Sequence, residues 1–182
     1  QPQYRYRSQD TLLEKFSSRP DIYDQVAVAP FSPPESASLG DADSIDLILT
    51  FRNTHGWIGD GLAADIFAEF ARVLKPGGIL GVVQHRAADG VDPVKSSETG
   101  YVPEQAVIDL ARNAGLLLDA RSEVNANPAD SRHHERGVWT LPPSHSACRE
   151  IEGEDEMAAC REKFQAIGES DRMTLRFRKP ME

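Results

Sequence analysis

Between Ser44 and Phe51 the chain is apolar at Ile45, Leu47, Ile48, Leu49 and Phe51, broken only by Asp46 and Thr50. That run is too short and too β-branched for a lone helix, and it predicts a strand buried on both faces. From Gly61 to Leu74 the period changes. Leu62, Ile66, Phe67, Phe70, Val73 and Leu74 fall on one helical face, with Asp65, Glu69 and Arg72 elsewhere. Lys75-Pro76-Gly77-Gly78 supplies a cation, a proline and two glycines to stop that helix. Ile79 to Val83 predicts a second buried strand that runs out into Gln84-His85-Arg86. Strand, helix and strand read as a right-handed βαβ unit, whose parallel strands end on one rim and bring His55 and His85 out side by side.

The flanking segments are weaker. Thr11 to Phe16 has the capping-box pair Thr11 and Glu14 and predicts a helix, ended or kinked at Pro20-Asp21. Gln25 to Ala29 (QVAVA) predicts a short strand, closed by Pro30-Phe31 and the prolines beyond. The polar stretch Arg86 to Gly100 shows no periodicity and predicts a lid or substrate loop. Tyr101 to Ala114 predicts a helix stopped at Gly115, and Leu116 to Glu123 a strand. Ser146 to Ile167 predicts an acidic helical stretch weakened at Gly153, and Met173 to Lys179 alternates like a half-covered strand.

Composition narrows the class. A chain of 182 residues, 40% hydrophobic and 27% charged, suits one soluble domain, residues 1–182, with a real core. A formal charge of -9 argues against a nucleic-acid groove or an anionic membrane surface. No stretch reads as a membrane span or a signal peptide, so the expected compartment is cytoplasmic, a removed N-terminal signal remaining open. Gln1 as first residue suggests trimming. Cys148 and Cys160 are too few for a disulfide scaffold, and a bridge between them would need a bend in the helical stretch. Free thiols in a reducing compartment are expected.

Candidate chemistry gathers where the first strand gives way to Arg52, Asn53, Thr54, His55, Gly56 and Trp57. Ligands of open α/β sheets bind in the crevice beyond the carboxyl ends of the strands. His55 and His85 titrate in the range a general base requires, although either could simply tie down its loop. Arg52 could clamp an acceptor carboxylate or phosphate, or pair with Asp60. Trp57 and Tyr101 could line an apolar pocket, with core packing the simpler role for Trp57. Gly59-Asp60-Gly61-Leu62-Ala63-Ala64 matches a dinucleotide fingerprint but stands too far from its strand to cradle a phosphate. His133-His134 has no partner at ligand spacing, so no metal is expected. The chain has no G-x-S-x-G elbow, leaving hydrolysis by His85 and a loop serine as a remote option.

DLILTFRNTHGW, RVLKPGGILGVVQHRA, GYVPEQAVIDLARNAGLLL and MTLRFRKP together resemble the C-terminal two-thirds of a class I S-adenosylmethionine-dependent methyltransferase. The turn LKPGG carries most of that likeness; LTFRNTHGW, VVQHRA, NPAD and LRFRKP are similar to a poorly characterised bacterial group. The resemblance runs from about Asp21 to Pro180. It implies a partial doubly wound, Rossmann-like α/β sheet, mostly parallel and of about five strands, with helices on both faces and an inserted antiparallel C-terminal strand. It also implies S-adenosylmethionine as cofactor and a small-molecule acceptor. Pro30, Phe31, Thr50 and Phe51 map onto cofactor positions, and Arg52, Asn53, His55 and His85 onto the acceptor side. The family's glycine-rich loop and acidic ribose ligand are missing before QVAVA, so the domain reads as N-terminally incomplete. The first strand's edge would then lie bare and apolar, open to a homodimer. The alternative is a catalytically inactive methyltransferase-like interaction or dimerisation module.

Overall fold

A computed structural model describes residues 2–181, with side-chain detail from residue 10 onward. The chain divides into two compact units, Gln1–Phe31 and Ser32–Glu182. In the first, helix α1 (Pro2–Ser18) extends the predicted helix in both directions, and α2 (Pro20–Tyr23) restarts after Arg19. Phe16 packs on Tyr23 with ring centroids 5.0 Å apart. Gln25–Ala29 is not a strand. It runs unpaired with Val26 47% and Val28 42% exposed. Its alternate alanines give a strand little apolar surface, and its Val26 N–H turns back to the Tyr23 carbonyl at 3.0 Å instead of joining a ladder.

The second unit is built on strand β1 (Ile45–Phe51), α3 (Thr54–Gly59), α4 (Ala63–Val73) and β2 (Leu74–His85). It continues through α5 (Pro93–Ser97), α6 (Glu104–Asn113), β3 (Leu117–Ser122), α7 (Glu154–Ile167) and β4 (Arg172–Arg178). The sheet has four strands in the order β1-β2-β4-β3. β1 and β2 are parallel, as the βαβ pattern requires, while β4 runs antiparallel between β2 and β3. The expected "mostly parallel, about five strands" is thereby corrected: one pair is parallel, and the fifth strand was the QVAVA segment.

The LKPGG segment ends α4 and then joins β2 directly. Gly77 takes φ 78 and its N–H donates to the Lys179 carbonyl at 3.0 Å. A Cβ on Gly78 would lie 2.8 Å from the Lys75 carbonyl oxygen, so the tight turn admits only glycine there. The register between Ile45 and Leu47 shifts to absorb the extra residues.

Strand alternation sorts the sheet into unequal faces. Leu80 and Val82 of β2 and Leu175 and Phe177 of β4 are buried with Ile66, Phe67, Phe70 and Val73 of α4. Val107, Ile108 and Ala111 of α6 complete that core. On the other face Leu47, Leu49 and Phe51 remain 53%, 56% and 55% exposed. β1 is therefore covered on one face only, not on both as its composition predicted, and among the described residues no strand pairs with its outer edge.

Two short helices were invisible in the sequence, α3 in the loop after β1 and α5 in the supposed lid. The Asp92 side chain accepts the Lys95 N–H at 2.9 Å to start α5. Cys148 and Cys160 form a disulfide, with Cα atoms 5.7 Å apart, which corrects the expectation of free thiols. The bend it needs is at Gly153 (φ 106), where a short 3₁₀ turn gives way to α7. That pairing removes the thiol argument for a reducing compartment. Among the described residues no helix is long and apolar enough to cross a membrane.

Candidate functional site

β1 ends by passing the Arg52 N–H to the Val83 carbonyl at 2.7 Å, with Arg52 in the left-handed region at φ 61. That kink turns the chain into α3, which brings His55 back over the end of β2. The two imidazoles of the rim meet, their ring centroids 6.1 Å apart. The sequence expectation for His55 and His85 is met in position, because a βαβ unit places both strand ends together.

Gln84 and His85 are successive residues of β2 and so point to opposite faces. The Gln84 Nε2 donates to the Gly100 carbonyl at 2.8 Å and faces Nδ1 of His55 at 3.4 Å. Trp139 meets His55 edge-on at 5.9 Å. His85 is 8% exposed. Its Nδ1 lies 2.5 Å from the Ser170 hydroxyl, and Tyr101 stacks edge-on at 6.3 Å.

Burial pushes the His55 imidazole below the ordinary histidine range. The Gln84 amide would oppose this only by turning its oxygen to the ring, and the Gly100 carbonyl requires the nitrogen there. His85 is driven further, to about 3, first by burial and then by His55, Arg172 and Arg52, against Asp130. Both rings are neutral near pH 7. A base held as low as His85 drives proton transfer poorly, so the structure weakens the general-base role of His85.

Arg52 and Asn53 are exposed at the same rim. Asn53 donates to the Thr50 hydroxyl at 3.3 Å, which leaves Thr50 only 5% exposed. Arg52 makes no ion pair with Asp60 or any other carboxylate among the described residues. Trp57 packs edge-on against Phe70 at 5.8 Å, the core role. Tyr101 is sealed at 1% exposure and lines no open pocket.

Behind the histidines lies a polar network whose members the sequence did not single out for it. The Tyr101 hydroxyl donates to Asp130 at 2.9 and 3.1 Å, and Asp130 also meets His134 Nε2 at 2.8 Å. The Asp171 N–H donates to Asp130 at 2.8 Å. The Asp171 carboxylate pairs with Arg86 at 3.0 Å and Arg132 at 2.7 Å. Burial pushes the Asp171 carboxyl up, but Arg86, the Asn127 N–H and Arg132 outweigh it and hold it below the ordinary range. His133 is exposed, whereas His134 belongs to this network and not to a solvated loop. The advance signal was the phrase NPAD, which ends in Asp130, within an irregular segment.

No family model and no curated protein matches the chain. Among solved structures it is similar to a candidate sarcosine dimethylglycine methyltransferase from Galdieria sulphuraria, at 19% identity and TM-score 0.56, covering 92% of this chain and 64% of that one. The fold is that of the class I methyltransferases. The [4+2]-cyclase SpnF matches at 20% identity, TM-score 0.47, covering 86% of this chain and 56% of its own. An S-adenosylmethionine-dependent methyltransferase from Methanosarcina mazei matches at 12% identity, TM-score 0.46, covering 80% and 64%. The chain thus spans less than two thirds of each of these proteins.

That fold implies S-adenosylmethionine, and the residues present fit part of such a site. Phe51 offers an open apolar ring at the crevice, whereas Thr50 is sealed. β2 ends in Gln84-His85, with no carboxylate for ribose hydroxyls. Pro30 and Phe31 lie at the end of the first unit. Phe51 would flank one side of that cofactor, and among the described residues none forms a cradle for its methionine moiety.

Proposed function

We propose that this chain is the acceptor-side part of an S-adenosylmethionine-dependent methyltransferase acting on a small molecule. The observation that carries the proposal is the parallel β1–β2 pair ending on one rim with His55 and His85 6.1 Å apart, in a sheet whose last strand is inserted antiparallel. S-adenosylmethionine, when bound, supplies an electrophilic methyl group. The chain's own residues do the rest of the positioning work. Arg52 and Asn53 face solvent at the mouth, where an acceptor arrives. His55 and His85, held by Gln84 and Ser170, orient its polar end, and Phe51 flanks the cofactor.

Calorimetric titration of this chain with S-adenosylhomocysteine tests the reading. Saturable one-to-one binding is expected, and no heat at millimolar ligand sinks it. The uncovered β1 edge, with Leu47 and Leu49 beside it, favours a second copy pairing there. Sedimentation velocity across protein concentration reads that association.

A further inference from the structure

We propose that His55 and His85 form a pair of neutral hydrogen-bond donors, each offering Nε2–H, and that with Arg52 they receive the carboxylate of a small-molecule ligand. The methyltransferase reading is needed only to call that ligand the methyl acceptor.

The argument starts from Gln84. Its nitrogen is fixed by the Gly100 carbonyl at 2.8 Å, so its oxygen is turned away, buried and without a partner. The second hydrogen of that nitrogen then faces Nδ1 of His55 at 3.4 Å. Nδ1 must be the lone-pair side, which puts the His55 proton on Nε2. An Nδ1–H there would set donor against donor.

Ser170 decides the other ring. It is 4% exposed, and among the described residues its hydroxyl meets only His85 Nδ1, at 2.5 Å. Were Nδ1–H the donor, the hydroxyl hydrogen would be left buried with no acceptor, a cost of about 1–3 kcal/mol. Ser170 therefore donates to Nδ1, and His85 too carries its proton on Nε2. Among the described residues no hydrogen bond engages Nε2 of either ring, and neither atom is among the sealed, unpartnered groups of the interior.

The surroundings favour an anion at this spot. Arg52 approaches from the end of β1, without an ion pair, and its left-handed backbone is a strain that persists only where the structure fixes it. Arg172 approaches from β4 and is paired to Glu169 at 2.7 Å. Asp130, the one carboxylate bearing on His85, is already engaged by Tyr101, His134 and the Asp171 N–H. Two N–H donors and an uncommitted guanidinium suit a carboxylate, and the burial that keeps both rings neutral lets them hold that polarity across the physiological range.

The test uses the whole chain labelled with ¹⁵N-histidine. Long-range proton–nitrogen correlations are expected to show both rings as the Nε2–H tautomer, and a lone pair on Nε2 of either ring overturns the proposal. Sodium benzoate is expected to shift both Nε2 signals saturably while benzamide does not. Arg52→Gln should weaken benzoate by about tenfold. Ser170→Ala should mix the tautomers of His85 and leave His55 unchanged, whereas general unfolding would move both. S-adenosylhomocysteine is titrated in parallel. Benzoate binding without S-adenosylhomocysteine binding upholds the donor pair and removes the methyltransferase reading; the converse result removes the donor pair.

Discussion

Asp171 is the residue whose loss should cost most for the smallest change in shape. Its side chain is 1% exposed and meets Arg86 at 3.0 Å and Arg132 at 2.7 Å. It also accepts the Asn127 N–H at 2.9 Å. Asp171→Asn keeps the volume, removes the charge and turns an N–H₂ toward a guanidinium. Breaking a fully buried pair costs about 3–5 kcal/mol. Two facts reduce that here. Arg86 keeps Glu123 at 2.6 Å, and Arg132 is 31% exposed and can be hydrated. The expected loss is about 2–3 kcal/mol, a large share of the stability of a domain this size. Urea unfolding should show a midpoint lowered by about 1–2 M with an unchanged slope. The pH dependence follows from the lowered folded-state pKa. Its contribution is complete above the unfolded value of about 3.9 and fades as pH falls through the folded one. The gap between variant and parent should therefore be full at pH 7, begin closing near pH 4 and shrink below it. A midpoint shift under about 0.3 M at pH 7 would refute the claim that this carboxylate anchors the network.

Tyr101→Phe removes a donor from buried Asp130 and should destabilise by about 1.5–3 kcal/mol, read by the same urea curve. Phe67→Ala empties a core site of zero exposure and should cost about 3–5 kcal/mol. Reducing the Cys148–Cys160 bridge opens a loop with a separation of 12 residues and should lower stability by about 2–3 kcal/mol, measured with and without a thiol reductant. Leu49→Lys, at a position 56% exposed, should alter monomer stability by less than about 0.5 kcal/mol and abolish any concentration-dependent association in sedimentation velocity. Association that survives this change means the β1 face is not the contact.

What the sequence made legible is what periodicity encodes. β1, α4 and β2 follow from apolar spacing and the LKPGG stop, and the meeting of His55 and His85 follows from the handedness of that unit. The alternation of Met173, Leu175 and Phe177 identified β4, whose antiparallel insertion came from family resemblance. α3 and α5 were not legible, since helices of 6 and 5 residues make fewer than two turns and show no repeated apolar spacing. Ser170 and Asp130 were not legible for a different reason. Each lies in an irregular segment and acquires its role from a partner far away in sequence: Ser170 from His85, 85 positions apart, and Asp130 from Tyr101, 29 apart. A single-residue signal of that kind has no local pattern.

The network also explains why the two histidines can be neutral donors without destabilising the rim. Asp130 brings buried negative charge within reach of His85, which alone would favour the imidazolium. It is already committed elsewhere, to three donors and His134, and one of those donors is the N–H of Asp171, whose own carboxylate is held by two guanidinium groups. The only carboxylate that raises His85 is outweighed by burial and by His55, Arg172 and Arg52. Loosening that commitment should therefore change the ring before it changes the fold. In Tyr101→Phe, Asp130 loses its hydroxyl donor and the edge-on contact with His85 is kept, so the His85 midpoint should rise toward the ordinary histidine value of about 6.5. A ¹⁵N-histidine pH titration of that variant reads the shift. A His85 midpoint unchanged in a folded Tyr101→Phe protein would separate the network from the site and leave burial alone to account for the neutral pair.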